Sequence, residues 1–154
     1  MSFRVRGLSP EPFRKYFEMN DAELRALGAR RVVADGDGYP CRVSLGHAKP
    51  GEELILLNYE HQPGDSPYRS THAIYVARES GHAFDEVDTV PEVMRTRLLS
   101  VRAFDRDHMI VDADVVDGKD AAAAFARLFA NPEAQYLHVH NAKRGCYSAR
   151  VERA

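Results

Sequence analysis

The run of residues 67–79 limits the fold of this chain more than any other feature. Its sequence, PYRSTHAIYVARE, mixes polar and apolar side chains in a strand-like order. Because side chains along a β-strand point to opposite faces with a period of two residues, Ser70 and His72 share one face, and Arg69 and Tyr75 share the other. Neither face is purely apolar. We therefore expect a central, largely covered strand whose polar groups find partners inside the protein.

A second strand-like run, residues 136–141 (YLHVHN), carries two histidines near the C-terminus. Alternation places His138 and His140 on one face of this strand and Leu137 and Val139 on the other. Two imidazoles at positions i and i+2 of a strand can converge on one ligand. The two runs together indicate a sheet that carries imidazole and guanidinium groups on one face.

Other strand-like runs, joined by turn signals, predict a mostly antiparallel sheet of about six to eight strands. Residues 53–60, ELILLNYE, are apolar on both faces, which is typical of a central strand. Three hairpins are expected, and they join residues 31–34 to 40–45, 98–104 to 109–116, and 135–141 to 145–152. The first crosses the sequence DGDG, which favours a turn. It also resembles the start of a calcium loop, but the glutamate that ends such a loop is missing.

Three segments carry helix signals. Residues 10–18 follow a serine and begin with proline, and residues 21–28 follow an asparagine with a glutamate at capping-box spacing. Residues 120–130 are rich in alanine and repeat large apolar side chains at i, i+3 and i+4. We expect these helices to pack on one side of the sheet in an α+β fold. No linker or repeat interrupts the 154 residues, so we expect a single domain over residues 1–154.

The charge balance excludes several classes of protein. With 21 basic and 23 acidic residues the net charge is −2, and no run of lysine and arginine suggests a nucleic-acid binder. No apolar stretch approaches the length of a membrane span, and the N-terminus lacks the apolar core of a signal peptide. We therefore expect a soluble, cytoplasmic protein with neither nucleic-acid nor membrane partners.

Two cysteines, Cys41 and Cys146, are too few and too far apart for a disulfide framework or a zinc knuckle. Cys41 alternates with Val43 and Leu45, which favours a small buried apolar side chain. Cys146 follows a hairpin turn and could form a reactive cysteine–histidine pair with His138 or His140. No acidic residue is identified that would orient such a histidine, so the sequence gives little support to a nucleophilic cysteine. No nucleophile elbow, P-loop or dinucleotide motif is present. The sequence identifies no cofactor and leaves open whether the chain is an enzyme.

Four phrases carry a family resemblance: YPCRVSL (39–45), LLNYEH (56–61), SPYRSTHAI (66–74) and HVHNAKRGCY (138–147). Together they resemble a bacterial family known as domain of unknown function 1203, and the similarity covers nearly the whole chain. The resemblance implies a stand-alone bacterial protein of about this length. It implies no activity, and no residue gains a role from it.

An anion-binding pocket is the leading functional hypothesis. Guanidinium groups grip carboxylate or phosphate through two parallel hydrogen bonds, and several arginines fall in or beside the expected strands. With His72 as a general acid or base, the candidate ligand-binding residues are Arg42, Tyr68, Arg69, Ser70 and Arg144, with the pair His138 and His140 beside them. The structural alternative pairs Arg42 or Arg69 with a carboxylate across the sheet. The candidate carboxylates are those of Glu60, Asp112 and Asp114.

A metal-dependent hydrolase is the second hypothesis. His138 and His140 would supply two ligands, and His72 from another strand would supply the third. Three histidines with an open water position form the usual catalytic zinc arrangement, in which the bound water has a pKa of about 7. These three histidines are therefore the candidate catalytic residues and the candidate metal ligands.

A third hypothesis is a homodimer or partner surface without catalysis. Tyrosine and arginine are favoured at the centres of interfaces, and symmetric dimers are common. The tyrosines considered for this surface are Tyr68, Tyr75, Tyr136 and Tyr147. This hypothesis is compatible with either pocket.

Overall fold

The computed structural model describes residues 1–154 as nine β-strands with few helices, which confirms the α+β class. The strands are β1 (Phe3–Arg6), β2 (Arg30–Val33), β3 (Glu53–Gln62), β4 (Ser70–Ala77), β5 (Asp85–Val87), β6 (Leu98–Phe104), β7 (Ile110–Asp117), β8 (Tyr136–Asn141) and β9 (Tyr147–Arg153). The α-helices are α1 (Asp21–Ala26), α2 (Glu92–Arg95) and α3 (Ala121–Phe129), and two 3₁₀ helices span Glu11–Glu18 and Gly118–Asp120. No helix combines the length and the apolar character that crossing a bilayer requires.

The strands form two sheets, where the sequence patterns predict one. One sheet has six strands in the order β5-β1-β9-β8-β6-β7, and the other has three in the order β2-β3-β4. Every pair of neighbouring strands is antiparallel. The apolar run of β3 is the central strand of the smaller sheet, as expected. Alternation shows which side chains share a face of one strand, but it does not show which strands pair, so it could not divide the sheets.

Each sheet packs around its own apolar cluster. Phe125 and Leu128 of α3 belong to the cluster of the six-stranded sheet, where the rings of Phe3 and Phe125 meet edge to face at 5.2 Å. Phe13 of the first 3₁₀ helix and Leu24 of α1 belong to the cluster of the three-stranded sheet. Burial of each of these side chains contributes about 1.5–3 kcal/mol to folding. The helices therefore divide between the two sheets, so the expectation that they pack together on one side of a single sheet is not confirmed.

The hairpin expected across DGDG does not form. β2 pairs with β3, and residues 40–45 make a tight turn in which the Leu45 N–H donates to the Cys41 carbonyl oxygen at 3.0 Å. The apolar alternation there is real, because Cys41, Val43 and Leu45 are all buried. It reflects a buried turn, however, and Leu45 has a left-handed backbone with φ 55°. The turn lies against β4, where the Arg42 N–H donates to the Tyr75 carbonyl oxygen at 3.1 Å.

Local signals elsewhere agree with the structure. Asn20 and Glu23 form the complete capping box of α1: each side chain accepts from the other residue's backbone N–H. The β6–β7 and β8–β9 hairpins and α3 are also confirmed. Residues 80–91 contain the short strand β5, which pairs with β1.

Candidate functional site

β8 positions two histidines in the interior. All six residues of this strand are buried. Leu137 and Val139 join the apolar cluster around α3, so the alternation of the strand turns His138 and His140 to the opposite face. That face meets side chains of the three-stranded sheet.

The third histidine comes from β3 in that smaller sheet. Between Glu60 and Gln62 the pairing of β3 with β4 shifts register, which leaves His61 at a β-bulge. Bulges re-aim side chains, and the ring of His61 lies 4.8 Å from that of His140 and 6.0 Å from that of His138, centroid to centroid. One ring nitrogen from each residue lies within 4.8 Å of the other two. We call these three residues the histidine cluster.

His72, predicted from the sequence as the third histidine, lies in a neighbouring cavity instead. β4 registers His72 opposite Tyr59, and the ring is half-buried. It lines this cavity together with Arg42. The imidazole also approaches Gly145, where an added Cβ would lie 3.7 Å from His72 Nε2. The signal for His61 was weak because it stands at the end of an apolar run and before a polar loop.

Burial keeps the histidine cluster uncharged at neutral pH. Desolvation lowers the pKa of His61 to about 4, that of His138 to about 2 and that of His140 to about 3. The positive charge of Arg102 contributes to all three decreases in pKa. Neutral imidazole is the form that binds metal ions.

The hydrogen bonds of the cluster are incomplete. His140 Nδ1 lies 2.8 Å from the Gly145 carbonyl oxygen, so Nδ1 donates and Nε2 keeps a lone pair. Arg102 Nη1 lies 3.5 Å from that Nε2. The Nδ1 atoms of His61 and His138 are buried without any partner. Buried polar atoms in folded proteins are nearly always hydrogen-bonded to protein or water, so these two nitrogens are available to a water molecule or another ligand.

Aromatic rings enclose the histidine cluster. The ring of Tyr147 stacks on that of His61 at 5.2 Å and 5°, and it meets His138 edge-on at 5.2 Å. Phe104 lies 5.0 Å from His138. Burial raises the pKa of Tyr147, so its phenol stays protonated. Because these rings exclude water, electrostatic interactions inside the cluster are stronger than in solvent.

Two adjoining cavities of about 300 and 330 Å³ lie beside the β8–β9 turn and share Arg97, Arg144 and Cys146 in their walls. Lys143 lines the first and Arg42 lines the second. No aspartate or glutamate lines either one. We call the combined space the basic cavity, and it has room for a small metabolite.

Arg42 is the most unusual residue of the basic cavity, because it is only 2% exposed. Its Nε donates to the Tyr147 carbonyl oxygen at 2.8 Å, and its Nη1 donates to the Pro40 carbonyl oxygen at 2.6 Å. Both acceptors are neutral, and no carboxylate pairs with the guanidinium. Burial lowers the pKa of Arg42, and Cys146 opposes that change more weakly. The tight turn at residues 40–45 therefore holds a buried cation at the wall of the cavity.

The candidate ligand-binding residues divide between two places. Arg42 and Arg144 line the basic cavity, as His72 does. Arg69 does not: its side chain is 62% exposed, and its Nε lies 3.0 Å from Glu60 Oε2. This is the carboxylate pairing that the sequence analysis gives as the structural alternative. Tyr68 and Ser70 lie beside Arg69 and line neither cavity.

Two cations of the basic cavity, Arg97 and Lys143, are not among the residues predicted from the sequence. Lys143 stands next to Arg144 in the β8–β9 turn, and this adjacent pair of basic residues was an available signal. Arg97 follows α2, and nothing in its local sequence distinguishes it from an exposed arginine.

Two of the four tyrosines considered for a partner surface are buried. Tyr136 and Tyr147 are 4% and 3% exposed, so neither can contribute to an outer face. Tyr136 hydrogen-bonds instead to Gln62 and His108, at 2.9 and 2.7 Å. These tyrosines stabilise the interior around the histidine cluster.

Comparison with curated proteins and with solved structures finds no match to this chain. A family model described as protein of unknown function (DUF1203) matches residues 38–153 of the 154. The matched segment contains the whole histidine cluster and all four cations of the basic cavity. The chain therefore belongs to the DUF1203 family.

Proposed function

We propose that the protein binds a small anionic metabolite, with carboxylate or phosphate groups, in the basic cavity. The observation that carries this proposal is the buried guanidinium of Arg42, which has no carboxylate partner. A buried ion without a counter-charge costs several kcal/mol, and an anionic ligand would offset that cost.

The other cations of the cavity support the same proposal. The protein forms ten ion pairs, and none of them includes Arg42, Arg97, Lys143 or Arg144. The protein as a whole has a net charge of −2. Four cations without an ion-pair partner thus line one space, in a chain that pairs eight of its other fourteen arginines. Such a concentration of one sign of charge attracts and orients an anion.

The residues of the basic cavity would contact the ligand in different ways. Arg42 is fixed by two backbone carbonyl groups, so it loses little conformational entropy when it binds a ligand. Arg144 and Lys143 are exposed at the β8–β9 turn, where they would receive the ligand from solvent. His72 would hydrogen-bond the ligand from the β4 side of the cavity.

The test is a titration with inorganic phosphate, pyrophosphate, succinate and citrate at constant ionic strength, followed by calorimetry and thermal unfolding. We expect at least one of these anions to bind the wild-type protein and to stabilise it. At a concentration of 100 times the Kd, the stabilisation is about 2.7 kcal/mol. The double variant Arg97→Ala/Arg144→Ala should bind at least about tenfold more weakly, because each charge-assisted hydrogen bond contributes about 1.5–3 kcal/mol.

Arg69→Ala is the matched control, because it removes an arginine that lies outside the cavity and pairs with Glu60. It should bind the anion as the wild type does. If only net charge matters, Arg69→Ala, which removes one positive charge, should lose about half of the binding free energy that the double variant loses by removing two. That result, or the absence of binding by all four anions, would contradict the proposal.

A further inference from the structure

We propose that His61, His138 and His140 bind a divalent first-row transition metal, with zinc as the best fit. This inference concerns residues outside the basic cavity and does not depend on the proposed function. It stands on the convergence of three buried imidazoles from two different sheets, with one nitrogen of each within 4.8 Å of the others.

The converging ring nitrogens of the three histidines lie up to 4.8 Å apart, which is farther than a bound zinc ion requires. Nitrogen ligands about 2.0–2.1 Å from a tetrahedral zinc ion lie roughly 3.3 Å from one another. The cluster must therefore contract when the ion binds. β8 is an interior strand of its sheet and fixes His138 and His140. His61 stands at a bulge near the end of β3, where the backbone is freer to adjust, so we expect it to make most of the movement.

The type of ligand selects the metal. The cluster offers three imidazoles and no thiolate or carboxylate. Imidazole suits zinc, copper, nickel and iron, whereas calcium and magnesium require oxygen ligands. Three protein ligands also leave a fourth position open for water or a bound anion, as in catalytic zinc sites.

The unpartnered nitrogens provide a second and independent observation. Nδ1 of His61 and Nδ1 of His138 are buried and have no hydrogen-bond partner. His140, by contrast, donates from Nδ1 to the Gly145 carbonyl group. A backbone carbonyl in that position is the usual outer partner of a metal-binding histidine, since it fixes the tautomer and leaves Nε2 for the metal.

Arg102 defines the remaining side of the site. Its Nη1 lies 3.5 Å from His140 Nε2, and none of the ten ion pairs includes it. A guanidinium there repels a bare cation but attracts an anion. Three neutral imidazoles leave the charge of the metal uncompensated, so Arg102 is placed to hold an anion in the open fourth position.

The test starts with untagged wild-type protein that has been treated with a chelator. Zinc is titrated in chloride buffer, without phosphate or carboxylates. Calorimetry measures the affinity and the number of zinc ions bound per chain. NMR of the ¹⁵N-labelled histidine rings identifies the imidazoles that bind. We expect one zinc per chain and shifts in the rings of His61, His138 and His140. Because this measurement needs no mutation, unfolding of a variant cannot obscure it. The absence of zinc binding, or shifts confined to other histidines, would overturn the proposal.

Variants then identify the ligands. Loss of an outer-shell hydrogen-bond partner weakens metal binding about 10–100-fold. Loss of a ligand should weaken zinc binding by more than this, and the variants that test it are His61→Gln, His138→Gln and His140→Gln. Exposed His82 supplies the control variant, His82→Gln, which should bind zinc as the wild type does. His72→Gln separates the two possible sets of ligands. Retained binding supports the set proposed here, and loss of binding in His72→Gln but not in His61→Gln would refute it.

Discussion

Mild acid should destabilise the metal-free protein through the histidine cluster. In the unfolded chain each histidine titrates near pH 6.5, whereas in the folded protein the pKa values of His61, His138 and His140 are about 4, 2 and 3. Below pH 6.5 the unfolded state therefore binds more protons than the folded state. The free energy of unfolding must fall as the pH falls from about 6.5 towards 4. Above pH 7.5 these residues are neutral in both states and contribute little pH dependence.

The magnitude follows from proton linkage. At pH 5.5 each histidine of the unfolded chain is about nine-tenths protonated, and those of the folded protein are almost entirely neutral, so unfolding takes up about 2.7 protons. One proton corresponds to about 1.4 kcal/mol per pH unit, which gives a slope of roughly 3–4 kcal/mol per unit near pH 5.5. The total loss between pH 7.5 and 5.5 is about 4 kcal/mol. That is a large part of the about 5–15 kcal/mol by which domains are usually stable.

Urea unfolding at several pH values between 7.5 and 5.5, with a chelator present, measures this slope. Other groups also titrate in that range, so the decisive comparison is with His138→Gln, in which one histidine of the cluster is absent. Its slope near pH 5.5 should be smaller by about 1.2 kcal/mol per unit, and that of His82→Gln should match the wild type. Identical slopes for the wild type and His138→Gln would refute the reasoning, whatever the absolute stability of the variant.

Three further substitutions test other parts of the structure. Arg102→Met should strengthen zinc binding in buffer without phosphate or carboxylates, because it removes the cation beside His140, and weaker binding in a calorimetric titration would contradict this role. Arg42→Met should lower the free energy of unfolding by about 2–4 kcal/mol in urea, since two buried carbonyl groups lose their donor. An unchanged urea midpoint would contradict this prediction, because the two hydrogen bonds would then only offset the free-energy cost of burying the charge. Phe125→Ala should cost about 3–5 kcal/mol in thermal unfolding, and a loss below 1 kcal/mol would show that α3 packs more loosely than the structure indicates.

Features that depend on neighbouring residues could be predicted from the sequence. The alternation of β8 correctly placed His138 and His140 opposite Leu137 and Val139, because the period of a strand is local. The capping box of α1 could also be predicted, since its two hydrogen bonds join residues three positions apart. In these elements the sequence and the structure agree residue by residue.

Features that depend on contacts between sheets could not be predicted. His61 joins the cluster because a bulge in one sheet faces a strand of the other, and no pattern within either strand records that contact. Arg42 and Arg69 look alike in sequence, since both occur in strand-like runs. One is held inside by a turn, and the other meets Glu60 across the β3–β4 pair. Only the three-dimensional arrangement distinguishes the unpaired arginine from the paired one.

The turn between β8 and β9 belongs to both candidate sites. Lys143 and Arg144 line the basic cavity, and the carbonyl group of Gly145 accepts the hydrogen bond that orients His140. Gly145 has φ 80°, a conformation that side chains disfavour, and its carbonyl group follows Arg144 directly in the chain, so a shift of the turn at one site moves the other. Occupancy of the two sites should therefore be thermodynamically coupled. Since such coupling is reciprocal, zinc should change the affinity for the anion by the same factor by which the anion changes the affinity for zinc.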